Sequence, residues 1–187
     1  MYFLKSISED VRFVQLEFRK QAKTKRLVLG SFLACMAAIL QAAGGILPGI
    51  GYFISPFATL PILICTMLSL PIGVMSYFLT ILLLLILQPS ELIVFPFTTG
   101  LLGIGIGAGF SFFQKRFSII SVGTILLTFG IISLLYVFHF SVLGPVGSDS
   151  FSFLTTGSIL IFAFFYSCIW VEIAFILFKR LMSIITK

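Results

Sequence analysis

The chain is 187 residues long, 59% of them hydrophobic and 10% charged, with a formal net charge of +6 and a mean hydropathy of +1.21. A soluble domain carries about 25% charged residues, and a chain this short has too little interior to hide so large an apolar surplus. The surplus must face lipid, which excludes an ordinary cytosolic enzyme, a secreted disulfide scaffold and a disordered tail.

Residues 1–26 hold ten of the eighteen charged residues. A signal peptide runs from a short basic start straight into an apolar core. Here a long mixed-charge stretch comes first, so the segment does not read as a cleavable leader. Ser6, Ile7, Ser8 and Glu9 fit a capping box. Ile7, Val11, Val14 and Phe18 recur on one helical face, and Arg19, Lys20, Lys23, Lys25 and Arg26 load the far end. Residues 1–26 form a basic cytoplasmic segment with two open readings. It is an amphipathic helix lying on the inner leaflet, or a solvated anchor that only fixes topology.

Residues 27–187 read as the transmembrane domain. Apolar runs cover 27–43, 57–87, 92–113, 117–138 and 153–178. One crossing takes about 20 apolar residues. The run 57–87 is too long for that, and Ser69, Leu70 and Pro71 interrupt it. Lys and Arg prefer the cytoplasmic side. If the run crosses twice, the N-terminal cluster, Lys115, Arg116, Lys179 and Arg180 share one side. Gln88, Glu91, His139 and Asp149 then share the other. A single crossing breaks this sorting. The predicted fold is all-α, an integral membrane bundle of six helices with both termini cytoplasmic. Its second and third spans are short, at about 15 residues or ~22 Å each, and Pro71 starts the third.

Gly30, Ala34, Ala38 and Ala42 recur every four residues in the first span. Small residues at this spacing let another helix backbone approach closely. The stripe packs inside the bundle or docks a separate membrane subunit. In the fourth span the run from Thr98 to Gly109 looks superficially like a nucleotide loop. It lacks the preceding strand and the lysine of such motifs, and Gly103/Gly107 and Gly105/Gly109 repeat the packing spacing instead.

Few polar residues interrupt the spans. Gln41 is the one amide of the first span, and either binds substrate or bonds across helices. Glu172 is an acid inside the sixth span, about 10 Å from the inner surface. Intramembrane ionisable residues are functional candidates by default. Its open roles are protonation, pairing with Lys115 or Arg116, and contact with a partner. Glu91 and Asp149 sit in outer loops, where they could attract a cationic ligand, and His139 reads as an interface anchor. Cys35, Cys65 and Cys168 lie in apolar runs and read as small buried hydrophobes. No catalytic motif, cofactor motif or metal-ligand cluster appears, so the chain does not read as an enzyme. The basic balance points to topology and anionic membrane lipid, not to nucleic acid.

Six short helices in 187 residues, a basic extension, and Ala34, Ala38 and Ala42 at four-residue spacing resemble the S components of energy-coupling factor (ECF) transporters. These are substrate-capture subunits of ABC-type uptake systems. The resemblance implies that the alanine pattern faces a transmembrane coupling subunit and that separate ATPase subunits supply energy. It implies a vitamin or related metabolite bound near the extracellular side, in a bacterial plasma membrane. The connection 44–55 would act as a lid, assisted by the later loops and the fourth to sixth spans. The candidate substrate-binding residues are then Gln41, Tyr52, Phe53, His139 and Trp170. Two other functions are weighed. A scaffold or assembly protein would bind its partner through the N-terminal segment or the small-residue faces. A small channel or carrier would need an inward row of polar residues. Apart from Gln41, Glu172 and scattered Ser and Thr, none is apparent.

Overall fold

The computed structural model describes residues 8–139 and 153–185. Every regular element among them is helical. The helices are α1 (Ser8–Lys20), α2 (Lys23–Ile46), α3 (Gly51–Leu68), α4 (Leu70–Leu87) and α5 (Glu91–Phe112), then α6 (Arg116–Tyr136) and α7 (Phe153–Ile185). Each of α2 to α7 holds a stretch long and apolar enough to cross a membrane, six in all. The chain is an all-α, multi-pass membrane bundle.

The run 57–87 is two spans, divided at Ser69, whose extended backbone ends α3 and opens α4. Each has 18 residues, or about 27 Å, which nearly matches a hydrocarbon core of roughly 30 Å. α3 is longer than expected because the glycine- and proline-rich stretch ahead of Phe57 is itself helical. Gly51–Ile54 makes a first turn and Ser55–Ala58 a 3-10 turn. Pro56 sits at the start of that turn, where its missing N–H removes no helical hydrogen bond.

The same fact corrects the expected lid. Gly44 to Ile46 end α2 and Gly51 to Ser55 are helical, so only residues 47–50 join the two spans. Gly49 takes a left-handed backbone, at φ 78°. A side chain at Gly51 would strike the carbonyl of Ala43. The connection is a tight hairpin.

α1 also departs from expectation. Val11 and Val14 are fully buried in the main core, with Phe18 packed at its edge. The Gln15 amide donates to the Met67 carbonyl and to Ser111 Oγ, each at 2.9 Å. Met67 lies in the last turn of α3, whose carbonyls have no partner within the helix. α1 therefore caps the ends of α3 and α5, and its apolar face meets protein where lipid or solvent was expected. Ser6 and Ile7, part of the predicted cap and face, lie outside the described residues.

The small-residue stripes are consumed within the bundle. Gly30, Ala34, Ala38 and Ala42 are all buried. They belong to a face of α2 that packs on α4 and α3. Ser76 Oγ donates to the Gly30 carbonyl at 2.9 Å, and Thr80 Oγ1 to the Ala34 carbonyl at 3.3 Å. The expected docking face for a separate subunit is thus an internal interface. α5 uses both of its glycine frames. A Cβ at Gly103 would meet Ile62 at 3.0 Å, and one at Gly107 would meet Thr66 at 2.6 Å, both on α3. Gly105 and Gly109 instead face Leu126 and Ile119 of α6. Of the cysteines only Cys65 is buried, whereas Cys35 is exposed and Cys168 partly so.

The described basic residues gather at one end. Arg19, Lys23 and Arg26 gather round the α3–α4 turn, and Arg116 and Lys179 both lie over Phe175. At the opposite end Gln88 and Glu91 lie against Gly45 and Gly44.

Thermal unfolding in detergent tests this packing. Ala38→Leu and Gly107→Leu should each destabilise the bundle by about 1–3 kcal/mol through overpacking. A fully stable Ala38→Leu protein that has lost a partner subunit would contradict it.

Candidate functional site

A cavity of about 830 Å³ opens among five of the six spans at the end away from the basic cluster. α2 lends Gln41, Gly44 and Gly45, the hairpin Pro48, and α3 Tyr52, Ser55 and Pro56. Ser90 and, from α5, Glu91, Val94, Thr98 and Thr99 form a second wall. Leu127 and Ile131 of α6 and Phe162 and Tyr166 of α7 complete it. α4 contributes nothing and is the least buried span. The size lies within the range of small-molecule sites, roughly 300–1,000 Å³.

The cavity exists because α5 is broken. Pro96 sits inside the helix and cannot donate a backbone hydrogen bond. Thr98 leaves helical geometry at φ −120° and ψ −95°, dividing α5 into Glu91–Phe97 and Thr99–Phe112. Irregular backbone at membrane depth is tolerated where protein covers it or where it lines a cavity, and both hold here. Tyr77 donates its hydroxyl to the Pro96 carbonyl at 3.1 Å, and Thr98 Oγ1 donates to the Val94 carbonyl at 2.8 Å. The Phe97 carbonyl rests against Gly130 of α6, where any Cβ would clash.

A polar cluster sits on the wall beside the break. Gln41 is 1% exposed. Its Nε2 donates to Glu91 Oε2 at 2.8 Å, and its Oε1 accepts from Thr99 Oγ1 at 2.7 Å. A carboxylate only accepts hydrogen bonds, so Glu91 requires the amide nitrogen toward it and leaves the oxygen for Thr99. Three residues from α2 and both halves of α5 are locked together. Gln41 thereby both bonds across helices and borders the cavity.

Of the five residues expected to bind substrate, Gln41 and Tyr52 line the cavity and three do not. Phe53 is 80% exposed. His139 lies beyond the end of α6, exposed, with a left-handed φ of 52°. Trp170 is buried, with edge contacts at 6.3 Å to Phe57 and to Tyr166, so it supports a lining residue from behind. Asp149 lies outside the described residues. Thr99, Phe162 and Tyr166 are cavity residues that sequence reasoning did not single out. Pro96, followed by two threonines in an apolar span, is the signal that points to the break.

Glu172 belongs elsewhere. It does not line the cavity. Arg116 Nη1 lies 3.1 Å from Glu172 Oε1, and the Arg116 side chain is 3% exposed. The guanidinium also stacks 3.9 Å from the Phe175 ring centre. Of the partners considered for Glu172, Arg116 is the one in place.

Arg116→Met should destabilise the protein by about 1–3 kcal/mol, less than for a fully buried pair because Glu172 is partly solvated. Adding Glu172→Gln should recover most of that loss in the same unfolding assay. Additive losses in the double variant would show that the two groups act separately.

No family model, no curated protein and no solved structure matches the chain.

Proposed function

We propose that the protein is a membrane-embedded subunit that captures a small nutrient and works with a separate ATP-driven coupling module, as an ECF-type S component does. The observation that carries this reading is the cavity of about 830 Å³ with its Gln41–Glu91–Thr99 cluster. Its lining lies at the end away from the basic cluster. Toward the basic end the space between the spans is filled by Leu102, Ile106, Ile120 and their neighbours in the main core. A capture subunit needs one open end, whereas a channel needs a polar path through the bundle. The bias of Lys and Arg supports placing the basic end in the cytoplasm and the cavity toward the outside. The residues carry no nucleotide-binding motif, so the energy for transport is assigned to another chain.

The alanine stripe no longer supports this reading, because α4 and α3 cover it. A coupling subunit would dock elsewhere. The scaffold alternative loses more, since the α1 face and the small-residue faces it relies on are used internally.

Mass spectrometry of small molecules retained after gentle purification tests the proposal. One species should be recovered in near-stoichiometric amount. Ile131→Trp, which fills part of the cavity, should remove it. A folded protein that retains nothing and captures no coupling subunit or ATPase would overturn the proposal.

A further inference from the structure

The acids and bases around the cavity are few and one-sided. All twelve Lys and Arg residues lie in 1–26, 115–116, 179–180 or at Lys187. The described connections 47–50 and 88–90 at the cavity end contain no Lys or Arg, and the sequence between α6 and α7 contains none either. Among the described residues Glu91 is the one charged side chain lining the cavity, and no described Lys or Arg forms an ion pair with it. Its carboxylate is held in place by the buried Gln41 amide, itself fixed by Thr99. One amide hydrogen bond orients a carboxylate but does not neutralise it. A negative charge against apolar walls therefore lacks a counter-charge, and supplying one is favourable. The walls add a second requirement. Tyr52, Phe162 and Tyr166 offer ring surface, and Val94, Leu127 and Ile131 offer aliphatic surface. Ring faces also attract cations. Among the described residues no cluster of three metal-ligating side chains occurs, so an organic cation suits the site better than a bare metal ion.

We infer that the cavity takes a small organic cation, a protonated amine or amidinium on a flat apolar body, with Glu91 as its counter-ion. Gln41 is the positioning residue that holds the carboxylate. The inference rests on the capture reading and names the substrate class of the same site. An anionic nutrient is disfavoured by it, because no described Lys or Arg lines the cavity to balance a second negative charge beside Glu91.

Three probes of one shape separate the cases: benzamidine, benzamide and benzoate. Binding to the detergent-solubilised full chain can be followed by calorimetry and by fluorescence of Trp170, the single tryptophan, which lies 6.3 Å from the cavity residue Tyr166. Benzamidine should bind at least about tenfold tighter than benzamide, with benzoate weakest. Glu91→Gln keeps the volume and an acceptor for Gln41, and should erase the preference by weakening benzamidine alone. The ranking on the native protein decides the matter even if that variant folds poorly. Equal or tighter binding of benzamide or benzoate overturns the inference and leaves the capture reading standing. Failure of all three probes at tens of millimolar overturns it as well, and capture is then judged by the retained-molecule assay alone.

Discussion

The bundle depends on how closely helix backbones can approach in a solvent that gives them no hydrophobic reason to associate. Lipid is as apolar as the side chains, so dispersion between closely packed surfaces must supply the attraction. α5 is where this matters most. Gly103 and Gly107 admit α3 on one side, and Gly105 and Gly109 admit α6 on another. α2 does the same toward α4 through Gly30 and Ala34, reinforced by hydroxyls of Ser76 and Thr80 bonded to helix carbonyls. With α3, α5 and α6 drawn tightly together at mid-depth, the break at Thr98 opens space above them.

Polar groups are sparse, and those that bond between helices have evident structural uses. Gln15 satisfies a carbonyl at the end of α3. Tyr77 satisfies one beside the break in α5. Arg116 pairs with Glu172 at the basic end and stacks on Phe175. Glu91 stands apart from these. Its hydrogen bond to Gln41 fixes its position, and no described Lys or Arg forms an ion pair with it.

The span count was legible because hydropathy and the positive-inside bias both constrain it, and Ser69 to Pro71 marks the one ambiguous turn. The two glycine frames of α5 were equally legible, since a four-residue spacing defines a helix face whatever its partner. Which partner meets a face was not legible. The stripe from Gly30 to Ala42 is chemically the same whether α4 or another subunit covers it. The face of Val11 and Val14 likewise fits lipid, solvent or protein. The stretch 44–55 was not legible because Gly and Pro are breakers on average, yet Gly51–Ile54 forms a helical turn and Ser55–Ala58 continues it as a 3-10 turn that holds Pro56. The site was partly legible. Gln41 stood out as a lone amide and Tyr52 by its place near the hairpin. Thr99, Phe162 and Tyr166 converge only through long-range packing, and Trp170 proved to be core behind them.

The broken helix α5 borders a cavity at the end away from the basic cluster. The most direct test is Val94→Cys, in a background lacking Cys35, Cys65 and Cys168, treated with a membrane-impermeant thiol reagent. Val94 lines the cavity but takes no part in its polar cluster. Labelling is expected in intact cells from outside, slowed by any molecule that occupies the cavity. Labelling only in inverted vesicles, or none from either side, would contradict it.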